Sequence, residues 1–167
     1  MDGLGPMIDH FHYTECGLDY VYLVNGYEVH DTPYGRAVSI DDADGLHRAI
    51  AEYIVTSPHG LRGQELRFLR SMLDVSQAAL GEIVGVSRAT IARWEGAPDA
   101  PISGSADRAL RLAYALQLEN RRDLALQVAR LLREIDDLEP QGALFEDREG
   151  AWLPPAAICS AAMAQHC

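Results

Sequence analysis

The chain has 167 residues, enough for one domain or two very small ones. Its 48% apolar and 23% charged side chains are those of a globular protein and exclude a wholly disordered one. A formal net charge of −11 excludes general attraction of the whole molecule to nucleic acid, and no apolar run approaches the roughly 18 residues of a membrane span.

The charge is unevenly spread. Residues 1–60 hold ten acidic and two basic side chains, residues 61–98 four and five, and residues 99–167 eleven and seven. Only in the middle segment is repulsion from a phosphate backbone lifted. Every basic residue is Arg, so any contact to phosphate or guanine comes from a planar, bidentate donor. Met1 to His10 carries two Asp and no Lys or Arg, unlike a signal peptide, and Cys16, Cys159 and Cys167 are too few and too scattered for a disulfide framework. The expectation is a cytoplasmic protein.

Residues 11–40 read as strands, because six of the ten Phe and Tyr residues precede position 35. Asp19 to Val24 and Tyr27 to Val29 flank Asn25-Gly26, a pair that predicts a hairpin. Pro33 and Gly35 mark a second turn before the short run Arg36 to Ile40. The acidic cluster Asp41-Asp42-Ala43-Asp44 predicts a helix start, and Leu46, Ile50, Tyr53 and Ile54 follow at helical spacing until Ser57-Pro58-His59-Gly60.

From Leu61 the period is helical. Leu66, Leu69, Met72 and Leu73 make one face of a helix. Ser76 to Val84 is a second helix, and Ser87 starts a third that runs to Glu95, with Gly96-Ala97-Pro98 as its stop. Residues 106–118 and 121–138 make two more helices. In the last of these Leu124, Val128, Leu131, Ile135 and Leu138 recur at 4-3-4-3, a seam suited to a dimer or to packing on the bundle itself. Residues 143–167 are expected to form a short strand and then a disordered Ala-rich end. The fold class is therefore α+β: a mainly α bundle of about five helices with a small β-rich N-terminal region. The expected boundaries are 1–60, 61–138 and a tail, 139–167.

Residues 77–96 satisfy the positional demands of a helix-turn-helix. Leu80, Val84, Val86, Ile91 and Trp94 are apolar where the two helices face each other and the core. Gly81 is small where they cross, and Gly85 tolerates the positive φ of the turn. Ser87 begins the second helix, whose outward residues Arg88, Ala89, Thr90 and Arg93 are suited to base edges and phosphates in a major groove. Gln77, at the start of the first helix, is placed for a phosphate, with Ser76, Arg62, Arg67 and Arg70 as further phosphate contacts. Glu95 is expected to be structural.

This window resembles the XRE-type, lambda-repressor-like helix-turn-helix family, through Ser76-Gln77, Gly85-Val86-Ser87 and Arg93-Trp94-Glu95-Gly96. The resemblance implies a compact bundle of about five helices over residues 61 to 138. Phe11 to Ile40 followed by Leu61 to Arg70 is similar to the arrangement of MqsA/YgiT-type antitoxins. Those proteins hold zinc through paired Cys-x-x-Cys motifs, whereas this chain has Cys16 alone in that region, so the zinc does not carry over. His10, His12, Cys16 and His30 have types that suit zinc but irregular spacing, and no metal or other cofactor is expected. The aromatic run from Phe11 to Tyr34 is expected to pack within strands, with a ligand or partner surface as the alternative.

The sequence has no phosphate loop, no G-x-S-x-G, no H-E-x-x-H and no G-x-G-x-x-G, and no enzyme is expected. The expected function is sequence-specific, dimeric binding of double-stranded DNA, as a repressor at a palindromic operator. The alternative is an antitoxin that neutralises a toxin protein by contact and represses its own operon. A small-molecule effector is a further expected partner.

Overall fold

Local chemistry sets most of the chain's turns, and long-range pairing decides what those turns connect. A computed structural model describes residues 10–117 and 142–154. Its elements are β1 (Phe11–His12), β2 (Val21–Leu23), β3 (Tyr27–Thr32), β4 (Gly35–Ile40), α1 (Ala43–Thr56), α2 (Gly63–Met72), α3 (Gln77–Val84), α4 (Arg88–Glu95), α5 (Gly104–Gln117), β5 (Ala143–Arg148) and β6 (Ala151–Leu153). Helices and a small mixed sheet together make an α+β protein. None of the described helices is long and apolar enough to cross a membrane.

The chain divides into two compact units. Among the described residues, 10–15, 19–49 and 142–154 form one, and 16–18 and 50–117 the other. The divisions fall inside α1 and just before β5, where the sequence suggests boundaries after residues 60 and 138. The cause lies in the tail. The short strand expected there is a hairpin, β5–β6, and it completes the sheet of the first unit.

That sheet has the order β1-β2-β5-β6. β1 and β2 run antiparallel with Phe11 opposite Leu23, and β2 and β5 run parallel with Val21 opposite Ala143. Glu149 and Gly150, with φ of 54° and 80°, turn β5 into antiparallel β6, the backbone twist that a tight hairpin favours. The buried residues of this unit include Tyr20, Val21, Leu23, Leu46, Phe145 and Trp152.

Asn25-Gly26 does turn the chain, but it does not close a hairpin. β2 pairs with β1 and β5, and β3 pairs with β4 in a separate two-stranded sheet, from Tyr27↔Ile40 to Thr32↔Gly35. The reason lies 122 residues away. The Asn25 amide donates to the Asp147 carbonyl (3.0 Å) and accepts from the Asp147 N–H (2.7 Å). Gly26 has φ of 75°, and a Cβ there would stand 2.7 Å from the Trp152 ring. The turn therefore hands the chain from one sheet to the other. α1 starts as expected, with the Asp42 carboxylate accepting from the Gly45 N–H at 2.9 Å.

The second unit is helical. Leu61, Leu66, Leu69, Leu73, Leu80, Ile91 and Leu110 are all buried within it. Residues 98–102 run back along the start of α2: the N–H groups of Gly63 and Gln64 donate to the carbonyls of Ala100 and Pro98, and Ile102 donates to Leu61. Arg111 on α5 is fully buried. Its guanidinium donates to Asp107 (2.5 Å), to the carbonyls of Ile54 (3.0 Å), Val55 (3.2 Å) and Ser57 (2.7 Å), and to the His59 carbonyl. Three of these carbonyls end α1 or lie just past it, where the helix itself supplies few donors (the Ser57 N–H reaches that of Ile54 at 3.3 Å), so a cation here also complements the negative end of the helix dipole. The helix expected at 121–138, its 4-3-4-3 seam, and the end of the tail lie outside the described residues.

Candidate nucleic-acid interface

α3 and α4 are joined by a turn that two glycines make. Gly85 ends α3 in the left-handed conformation, φ 77° and ψ 33°, and its N–H donates to the Gly81 carbonyl. The Val86 N–H donates to the same oxygen at 2.9 Å. A Cβ on Gly81 would come within 2.6 Å of the Val86 carbonyl oxygen. A larger residue there would push α3 off the turn that launches α4.

Both helices have serine caps at their N-termini. Ser76 accepts from the Ala79 N–H and Ser87 from the Thr90 N–H, each at 3.1 Å. These bonds satisfy donors that a helix start leaves open. They also set the orientation of residues 88 and 89 at the exposed start of α4. The Thr90 hydroxyl lies 3.0 Å from the Ser87 hydroxyl, which ties it to the cap.

One face of α4 is buried through Ile91, whereas Arg88, Ala89, Ala92 and Arg93 are exposed. Trp94, expected in the core, is half-buried, because it lies toward the edge of the buried stripe that Ile91 centres. Leu80, Gly81 and Val84 are buried as the packing requires, and Val86 is half-buried in the turn.

The arginines separate into two groups. Arg67, Arg88 and Arg93 are exposed and have no side-chain hydrogen bond or ion pair among the described residues. Arg62 is half-buried at the start of α2. Arg70 differs from the expectation of a phosphate contact. Its Nε donates to Glu95 Oε1 at 2.5 Å, Nη2 to Glu95 Oε2 at 3.2 Å, and Nη1 to the Val75 carbonyl at 3.1 Å. Gln77 differs likewise, since its Nε2 donates to Glu95 Oε2 at 2.9 Å. Both side chains are thereby engaged in joining α2 and α3 to the end of α4. The carboxylate that draws them in is that of Glu95, the last residue of α4.

The Glu95 side chain is only 8% exposed. Burial by itself would push its carboxyl up. The hydrogen bonds from Arg70 and Gln77 and the charges of Arg70 and Arg67 outweigh that, and the carboxyl lies below its ordinary value. A carboxylate that titrates lower in the folded than in the unfolded chain contributes stability in full above its unfolded value, near 4.5, and loses it as pH falls through the lowered folded value. Glu95→Gln should therefore lower stability near neutral pH and flatten the loss of stability on acidification below about pH 4.5, as read by urea denaturation at a series of pH values.

Some of the site's supports carry no sequence motif. A Cβ on Gly63, at the start of α2, would run into the carbonyl oxygen of Trp94 and stand 2.6 Å from that of Ala97. Backbone contact of this closeness leaves no local trace beyond a glycine in a helix. His10, His12, Cys16 and His30 do not gather: His12 reaches the Asp19 carbonyl (2.8 Å), His30 reaches Ser39 (2.9 Å), and no metal-ligating group of three forms among the described residues. Comparison of the chain with family models, curated proteins and solved structures finds no match.

Proposed function

We propose that the chain is a sequence-specific DNA-binding transcriptional regulator whose second unit contains a helix-turn-helix in a bundle of about five helices. The observation that carries this reading is the pair α3–α4. It combines a left-handed Gly85 turn, a close approach at Gly81 and serine caps on both helices with an outward face of α4 that holds two uncommitted arginines. A major groove admits one helix, and Arg is the side chain best matched to the O6 and N7 acceptors of guanine. In this reading Arg88 and Arg93 are the base or phosphate readers, Ala89 offers its methyl to thymine, and Arg67 adds a phosphate contact. The two serine-capped N-termini suit phosphates on either side.

The regulator acts as a dimer, and a repressor is the simplest outcome of a protein occupying a promoter. Leu112 and Leu116, one turn apart on α5, remain exposed, and a second copy would bury such apolar surface. The antitoxin alternative rests on resemblance at residues 11–40 and 61–70 and has no structural observation in its favour.

Selection from a random-sequence duplex library at fixed physiological salt tests the reading, because non-specific affinity moves steeply with salt. The expected product is a palindrome with half-sites about 34 Å apart. Arg93→Ala should weaken binding to that operator by about 1–3 kcal/mol. Retained affinity in a folded variant overturns the assignment of α4.

A further inference from the structure

The first unit contains a pocket of about 500 Å³, lined by His10, Phe11, His12, Tyr27, Val29, Arg36 and Val38. That volume lies within the usual range for small-molecule sites. Its origin is the β3–β4 hairpin. The register puts Tyr27, Val29 and Asp31 on the same face as Ile40, Val38 and Arg36. An isolated two-stranded hairpin is marginal unless such a face is covered. Phe11 covers one end, its ring 4.9 Å from that of Tyr27. The middle stays open, and Val29 is 41% exposed.

Charge indicates what fills the opening. Residues 1–60 hold ten carboxylates and only two arginines, yet the lining includes one of those arginines and no carboxylate among the described residues. Asp31 lies across the strand from Arg36 but forms no ion pair with it, and Glu28, on the opposite face, is beside His30 at 3.6 Å. His10 and His12 add two imidazoles to the lining. The pocket thus combines an apolar floor, two aromatic rings and an uncommitted guanidinium, whose fork matches a carboxylate.

We propose that this pocket binds a small organic carboxylate with an apolar body, the carboxylate on Arg36 and the body on Val29, Val38, Phe11 and Tyr27. The site belongs to the first unit alone and does not depend on the DNA-binding reading.

The test is titration of the full chain with benzoate, phenylacetate, indole-3-acetate and octanoate, each beside its neutral amide, followed by amide chemical shifts. At least one acid should shift β3 and β4 resonances to saturation, with its amide at least about tenfold weaker, the discrimination expected of a hydrogen bond to a charged group. Arg36→Gln should lose about tenfold in affinity for that acid while keeping the folded spectrum. Val38→Glu, an independent variant that puts a carboxylate into the pocket, should abolish binding. Arg93→Ala should bind the acid as the parent does. The proposal is overturned if no acid binds at millimolar concentration, if acids and amides bind alike, or if folded Arg36→Gln or Val38→Glu binds unchanged.

Discussion

Arg111→Met is expected to destabilise the protein by about 3–5 kcal/mol, because it removes one partner of a buried charge pair and strands the other. Arg111 has no exposed surface, and the Asp107 side chain is 5% exposed. Methionine restores much of the apolar stem but none of the donors. Asp107 would keep the Leu61 N–H, 2.8 Å from its Oδ2, and lose its cation. Four carbonyls, of Ile54, Val55, Ser57 and His59, would lose the guanidinium as well. Equilibrium urea denaturation measures the loss. Adding Asp107→Asn should recover part of it, because the neutral amide oxygen still accepts from Leu61 without a buried unpaired charge. The non-additivity of the two changes isolates the pair. His59 supplies a second readout. Burial, then the charges of Arg111 and Arg62, hold its imidazole below the ordinary value, so removing Arg111 should raise it, as followed by the ring proton shifts.

Gly63→Ala should cost about 3 kcal/mol. Overpacking a close contact typically costs about 1–3 kcal/mol, and here both obstructing atoms are backbone oxygens, which no rotamer change can move aside. Alanine gains helix propensity over glycine of up to about 1 kcal/mol, which offsets only part of this. The shift would fall on the segment from Trp94 to Ala97, and so on the end of α4. Thermal denaturation gives the cost, and loss of operator affinity beyond that of Arg93→Ala would show that the position of α4 had changed. Parent-like stability for the folded variant would mean that α2 and the end of α4 are not in such contact.

These two sites were illegible in the sequence for a common reason. α3 and α4 are local objects: serine caps, a positive-φ glycine and apolar spacing all lie within 20 residues, and their residues read directly to Gln77–Val84 and Arg88–Glu95. Gly63 and Arg111 act on chain that is distant in sequence. A buried arginine on α5 looks like any surface arginine until the end of α1 is placed against it. Arg70 and Gln77 looked free for the same reason, because Glu95 lies 25 and 18 residues away from them. Asn25-Gly26 is the instructive error. Turn chemistry specifies that the chain bends, but strand partners are chosen by the whole sheet.

The pairing of β2 with β5 has a consequence in time. Asn25 and Asp147 are 122 residues apart. At synthesis rates of about 5–20 residues per second, roughly 6–24 s separate the emergence of β2 from that of its partner. The helices from α2 to α5, and the partners named for them above, are all made in that interval. Throughout it, β2 carries an open hydrogen-bonding edge beside the apolar Val21 and Leu23, the kind of edge that recruits foreign strands. The first unit is thus begun early and closed last, so its exposure to aggregation is governed by how fast the ribosome reaches β5.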